Sequence, residues 1–325
     1  MLAIILLLLT TFTFAEFKPL DARLSSYQYP FPVSFFEVPV KDKSYEMAYM
    51  DVKPEGKVKG TVVLLHGKNF SGHYWERTAK DFSKKGYRVI IPDQIGFGKS
   101  SKPESFPYSF HLLGKFTQDL LKQLKVKNYY LIGHSMGGML ATRMALMYPE
   151  NVKKLLLVNP IGLEDWKTEV PYKTVNELYQ AELKSSEDKI REYQKKNYYD
   201  GKWKAEYEKG IEVLVGWTMH KDHPVIAWNS ALTSDMIMTQ PVVYEFKNLS
   251  MPTLLLLGTR DRTAVGKGWA SPAVQRKLGR YDQLGRKVIK DISRGKLVEL
   301  KGIGHMPQVE SYDSYWQNIL AFIEK

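Results

Sequence analysis

Tyr129-Tyr-Leu-Ile-Gly-His-Ser-Met-Gly-Gly-Met-Leu-Ala-Thr-Arg-Met-Ala145 changes character twice within a short span. It opens as an apolar, β-rich run, passes through Gly133-His-Ser-Met-Gly137, and continues as a helical pattern over 138–145. Strand, tight turn and helix in immediate succession lift the Ser135 hydroxyl clear of its neighbours, because the flanking glycines permit a turn that a Cβ would obstruct. The helix that follows presents free N–H groups and the positive end of its dipole beside that hydroxyl, where a developing oxyanion is stabilised. Glycine-x-serine-x-glycine is a frequent pattern on its own; the strand before it and the helix after it give it meaning.

Outward from this turn, apolar runs of strand length alternate with helical patterns. Strands are expected at 61–65, 87–91, 129–132, 154–158, 253–257 and 297–300, and helices at 74–84, 112–124, 138–147 and 312–323. Such alternation implies an α/β fold with a mainly parallel sheet flanked by helices, and the unbroken apolar runs suit strands covered on both faces. Two further segments, 33–40 and 45–52, read as an antiparallel hairpin at the sheet edge, turning at Lys41-Asp-Lys43. The alternation breaks over 161–247, where the pattern is helical, charged and aromatic. The expected organisation is therefore a core of 16–160 and 248–325 with a helical cap, or lid, inserted at 161–247. The cap segment holds Tyr179, Tyr193, Tyr198, Tyr199, Trp203, Tyr207, Trp217 and Trp228. Rings of that size line apolar cavities, but in a small helical layer they mostly hold helices together.

A serine hydroxyl is a weak nucleophile near neutral pH; it needs a base, and an acid that fixes the base's tautomer. His305, in Gly302-Ile-Gly-His-Met-Pro307, follows the last strand, and Asp261 ends Leu257-Gly-Thr-Arg-Asp261 after the preceding one. Ser135, Asp261 and His305 then run in the order serine, acid, histidine, each at the carboxyl edge where open α/β sheets bind ligands. His66-Gly-Lys-Asn-Phe70 follows another strand, so the Lys68 N–H is the expected second oxyanion donor beside the Met136 N–H, with Asn69 as a neighbour that assists. His66 is expected to hold its loop by a hydrogen bond, and His134 to point away from the chemistry. His220-Lys-Asp-His223 has the look of a metal pair, but no cysteine or third ligand accompanies it, so no metal is expected.

Together, His66-Gly67, Pro92-Asp-Gln-Ile-Gly-Phe-Gly-Lys-Ser100, Gly133 to Gly138, Gly258-Thr-Arg-Asp261 and Gly304-His305 resemble the α/β-hydrolase superfamily, in its branch with a helical cap after the sixth strand. The resemblance extends from Val33 to the C-terminus. It implies a serine hydrolase without cofactor, cleaving a carboxylic ester of small to medium hydrophobic character through an acyl-serine. The family's haloalkane dehalogenases and epoxide hydrolases carry aspartate where Ser135 stands, which disfavours those reactions. Carbon–carbon bond hydrolases, perhydrolases and non-catalytic ligand binders of the same fold are the alternatives. The loop from Asp93 to Ser100 is similar to one that is architectural in the family.

The first residues, Met1-Leu-Ala-Ile-Ile-Leu-Leu-Leu-Leu-Thr-Thr-Phe-Thr-Phe-Ala15, read as a signal peptide ending at a small residue, and as too short to span a bilayer. A periplasmic or secreted protein is expected, with anchoring by this uncleaved segment as the alternative. With no cysteine, neither disulfides nor a lipid-bearing cysteine stabilises or tethers the exported chain. Asn69-Phe-Ser71 and Asn248-Leu-Ser250 are formal glycosylation acceptors; a glycan on the first would obstruct the oxyanion loop, which favours a bacterial envelope. The net charge of +12 comes from lysines and arginines scattered among acidic residues along the whole chain. Without a basic block, no nucleic-acid partner is expected, nor membrane association once the leader is cleaved. The expected partner is a small-molecule ester.

Overall fold

The computed structural model describes residues 16–325, and the expected signal segment lies outside the described residues. One eight-stranded sheet has the order β1-β2-β4-β3-β5-β6-β7-β8. β1 (Val33–Val40) and β2 (Lys43–Val52) form the expected antiparallel edge hairpin, with Lys41 at φ 56° in its turn. β2 pairs antiparallel with β4 (Tyr87–Pro92). All remaining pairs, through β3 (Gly60–Leu65), β5 (Tyr129–His134), β6 (Val152–Val158), β7 (Thr253–Gly258) and β8 (Gly295–Leu300), are parallel.

The unbroken apolar runs divide between two faces as the two-residue strand period requires. Register sets Leu64 beside Ile132, Ile132 beside Leu156, and Leu156 beside Leu254, so one apolar row crosses the sheet. α1 (Glu76–Lys84) and α11 (Tyr312–Glu324) bury Phe82, Ala79, Tyr315 and Ile319 against that face. On the opposite face Val63, Leu131, Leu155 and Leu255 meet α2 (Phe110–Gln123), α3 (Met136–Met147) and α9 (Tyr281–Val288). Two short helices, α8 (Pro272–Lys277) and α10 (Pro307–Glu310), sit in the connections around β8.

Between β6 and β7 the chain forms four helices: α4 (Val175–Glu182), α5 (Glu187–Asn197), α6 (Glu208–Thr218) and α7 (His223–Thr239). Residues ahead of β1 strap this layer to the core. Leu20 N–H donates to the Gly216 carbonyl at 2.9 Å, and Phe17 packs on Ile211 and Val215 of α6. Further along the strap, the Tyr29 hydroxyl donates to Asp93 at 2.7 Å. Asp93 also accepts from the Gly72 and Lys99 N–H groups, so the loop after β4 is the architectural piece its pattern suggested.

The turn between β5 and α3 is tightly packed against backbone. A methyl group on Gly137 would stand 2.3 Å from the Leu65 carbonyl oxygen, and one on Gly133 would stand 2.1 Å from that of Gly137. Both obstacles are backbone, which cannot rotate away. Gly268, by contrast, has open space around its missing side chain. Gly137→Ala is therefore expected to lower the unfolding free energy by about 2–3 kcal/mol or more, and Gly268→Ala to leave it within about 0.5 kcal/mol. Urea unfolding of the two variants checks this, and equal stabilities would refute the packing argument.

Candidate active site

Ser135 occupies the junction of β5 and α3 at φ 55°, ψ −123°, a conformation that costs a non-glycine residue about 1–3 kcal/mol. Neighbouring hydrogen bonds hold it there. Its N–H donates to the Val158 carbonyl at 3.3 Å, and its own carbonyl accepts from Gly138 and Ile161. The serine is 6% exposed, at the N-terminus of α3, where the Met136 N–H lies ahead of the helical ladder.

Asp261 and His305 meet as expected. The His305 Nδ1–H donates to Asp261 Oδ2 at 2.6 Å, and both side chains are fully buried. Asp261 also accepts from Asn159 Nδ2 at 2.9 Å and from the Thr263 N–H at 2.8 Å. Burial on its own would raise this carboxyl, but the His305 ring and these hydrogen bonds hold it below the ordinary carboxylate value. Asn159, absent from the sequence reading, sits at φ 37° directly after β6, and its Oδ1 accepts from the Gly258 N–H at 3.0 Å. With Nδ1 committed to Asp261, Nε2 is the basic nitrogen of His305. It is buried and has no hydrogen-bond partner among the described residues, so the bond to the Ser135 hydroxyl is not made in this structure.

His134 does not point away from the chemistry, contrary to expectation. Its Nε2–H donates to the His305 carbonyl at 2.9 Å, and its Nδ1 accepts from the Tyr74 hydroxyl at 3.1 Å. The turn that carries Ser135 is thereby joined to the loop that carries His305. Tyr198, from the end of α5, stacks on the His305 ring with centroids 4.5 Å apart. Its hydroxyl accepts from Asn69 Nδ2 at 3.1 Å. Arg260 adds a clamp: it donates to the Gly302 and Tyr198 carbonyls and pairs with Glu310, which in turn accepts from the Gly304 N–H at 2.8 Å. Gly304 is required by close approach, since a methyl there would stand 1.9 Å from the Tyr198 carbonyl oxygen.

The loop after β3 passes directly beside the serine, for a methyl on Gly67 would stand 3.0 Å from Ser135 Cβ. His66 holds this loop as expected. Its Nδ1–H donates to the Gly67 carbonyl at 2.9 Å, and its Nε2 accepts from the Gln94 N–H at 3.0 Å. Among the described residues the Lys68 and Asn69 N–H groups make no main-chain hydrogen bond, whereas that of Phe70 donates to the Gly67 carbonyl. The Lys68 side chain crosses to the inserted helices, with Nζ 2.6 Å from Ser230 Oγ and 3.4 Å from Glu182.

Lys68 and Asn69 also wall a cavity of about 490 Å³ between core and inserted helices. Its apolar surface comes from residues such as Phe97, Leu214, Trp217, Ile226 and Trp269; Ser135 and His305 are not among its walls. Of the eight aromatics singled out in the inserted segment, Tyr193 and Trp217 line this cavity. Most of the others pack on one another: Tyr199 stacks on Tyr207 at 3.7 Å, and Tyr179 meets Trp228 edge-on at 5.5 Å.

A family model described as the alpha/beta hydrolase fold matches residues 60–311. A solved structure of a probable hydrolytic enzyme from Pseudomonas aeruginosa PAO1 superimposes with a TM-score of 0.93 at 45% identity, covering 95% of this chain and 99% of that one. Lipase 1 of Psychrobacter immobilis is 26% identical over 82% of this chain and 78% of its own length. A proline iminopeptidase of Lactobacillus helveticus is also 26% identical, over 82% of this chain and 90% of its own.

Burial around the site leaves a pH signature. Burial lowers the pKa of His66, of His73 to about 4, and of His134 to about 3. The unfolded chain takes up these protons near pH 6.5 while the folded chain does not. Their contribution is therefore complete above pH 6.5 and is lost as pH falls toward the folded values, by up to about 1.4 kcal/mol per pH unit for each histidine. Unfolding free energy is expected to fall between pH 6.5 and 5, and His73→Gln to flatten that slope by close to one proton. An unchanged slope in the variant would show that His73 is not held neutral.

Proposed function

The chain belongs to the alpha/beta hydrolase family, and from that premise we propose that it cleaves carboxylic esters through an acyl-serine intermediate. The observation that carries the reading is the buried Asp261–His305 pair, which leaves His305 Nε2 as an unpartnered base and is tied through His134 to the turn bearing Ser135. The likeness to a lipase supports ester chemistry among the reactions of the family.

In this mechanism Ser135 Oγ attacks the ester carbonyl carbon while His305 Nε2 takes the hydroxyl proton. Asp261 holds Nδ1–H and stabilises the imidazolium that forms. The tetrahedral oxyanion is received by the Met136 and Lys68 N–H groups, with Asn69 beside them. Collapse expels the alkoxide, which leaves as the alcohol with the proton from Nε2. Water attacks the acyl-serine with His305 again as base, releasing the acid and restoring Ser135. These steps call on no metal or organic cofactor.

The 490 Å³ cavity suits a substrate of small to medium size, with apolar walls for a hydrocarbon part and the Lys68–Glu182 pair at its polar side. Asn69, a wall of this cavity, follows the loop whose Gly67 lies beside Ser135, so the cavity is the candidate binding space for the substrate. Catalytic hydrogen bonds of this kind tighten when substrate binds, and the proposed mechanism requires Nε2 to reach the hydroxyl at that stage.

A panel of nitrophenyl esters from acetate to palmitate, with lactones and thioesters, tests the reading. Ser135→Ala should lower kcat on the best ester by about 10⁶, and Asp261→Asn by about 10⁴. A fluorophosphonate should label the parent chain at Ser135 alone. A loss below about tenfold in Ser135→Ala would overturn the nucleophile assignment. Labelling without turnover of any ester would redirect the reading to another reaction of the family.

A further inference from the structure

In a parallel sheet every connection returns the chain to the same edge, so residues scattered through a sequence are gathered wherever strands begin. That is the fate of the lysines in this chain. The loop before β3 brings Lys57, the end of α1 Lys85, the link from α2 to β5 Lys125 and Lys127, the start of β6 Lys153, and the link from α9 to β8 Lys290. All six are exposed, and none of them pairs with a carboxylate among the described residues. Lys122, Lys125 and Lys127 also line a surface concavity together with Asn151 and Glu150. The acidic residues on this edge are fewer than the basic ones: Glu55, Glu150 and Asp291, with Glu324 engaged by Lys59 at 3.6 Å, Asp51 by Lys53 and Arg88, and Asp119 by Lys115 and, at 3.9 Å, Lys122. The amino edge of the sheet, opposite the candidate active site, is thus a basic floor.

We propose that this floor is a docking face for an anionic phospholipid surface, with the carboxyl edge and its site directed away from the lipid. Lysine suits that role, since its ammonium sits on a flexible apolar stem and interacts as a point charge with headgroup phosphates. The tip of the loop before β3 offers an apolar contact at the same level: Val58, between Lys57 and Lys59, is 60% exposed. Lysine predominates on this edge: Arg88 is engaged by Asp51, Arg294 donates to the Ser250 carbonyl at 3.4 Å, and the six lysines lack the fork that stacks on bases, which favours lipid over a nucleic acid. Among the described residues no helix is long and apolar enough to cross a membrane. The expectation of no membrane association once the leader is cleaved rested on spacing along the chain; this proposal rests instead on which strand starts the fold gathers on one edge.

The test is co-sedimentation of the full chain with phosphatidylcholine vesicles, with and without phosphatidylglycerol. Binding should require the anionic lipid and fall at least about tenfold in ~0.5 M salt, where screening is short-ranged. Combined Lys57→Glu, Lys125→Glu, Lys127→Glu and Lys153→Glu should weaken it by about 100-fold, and glutamine at the same positions by less. Far-UV circular dichroism of both sets verifies that they fold, and the glutamine set carries the test if charge reversal unfolds the chain. Equal binding to neutral and anionic vesicles, or a glutamine set that binds like the parent, overturns the proposal. Displacement from anionic vesicles by duplex DNA at lower charge concentration than the lipid also overturns it, in favour of a nucleic-acid surface.

Discussion

An ionised carboxylate with no solvent exposure persists only if donors are aimed at it, and the region around Asp261 is arranged to supply them. Each donor comes from a different segment: Asn159 from the end of β6, the Thr263 N–H from the loop after β7, and His305 from the loop after β8. Three neighbouring strand ends are thereby fixed to one charge. Asn159 accepts a left-handed backbone conformation in doing so, which asparagine tolerates better than most residues. Its amide serves both sides, donating to Asp261 and accepting from the Gly258 N–H, so the ends of β6 and β7 are joined through one side chain.

Fixing Asp261 fixes Nδ1 of His305 but leaves the ring free to tilt about that bond. Two further contacts limit the tilt. His134 holds the His305 carbonyl from the elbow, and Tyr198 lies flat on the ring from the inserted helices. Tyr198 is itself tied to Asn69 through its hydroxyl and to Arg260 through its carbonyl. The inserted layer therefore touches the histidine, the loop after β3 and the clamp on the histidine loop through one residue. Displacing Tyr198 would disturb all three together, so the position of the inserted helices and the geometry at His305 are mechanically coupled.

What was legible in the sequence follows from this division of labour. The strands β3 to β7 were readable as apolar or β-rich runs, a pattern that arises from burial on both faces, whereas the partly exposed β1, β2 and β8 were readable by their β-rich composition. Ser135, Asp261 and His305 were readable because each follows such a run in a fixed order. Asn159, Tyr198, Arg260 and the true direction of His134 were not readable. Their roles depend on which loops approach one another, and nothing in local spacing encodes the 4.5 Å between Tyr198 and His305. The two-residue turn at Lys41-Asp42, with β2 beginning at Lys43, shows the smaller uncertainty of element ends. Residues 1–15, read as a leader, lie outside the described part of the chain.

The two edges of the sheet have opposite electrostatic requirements, and the strands keep them apart. At the carboxyl edge the buried charge of Asp261 is balanced locally by hydrogen bonds, and small displacements matter. At the amino edge unpaired cations face water, where pairing contributes little and position is loosely specified. A six-residue strand spans about 20 Å, roughly two Debye lengths at physiological ionic strength. Cations on the floor are therefore largely screened from Asp261 and His305. Charge can therefore accumulate at the amino edge of a chain of net charge +12 while the Asp261 carboxylate is held by donors in its own loops.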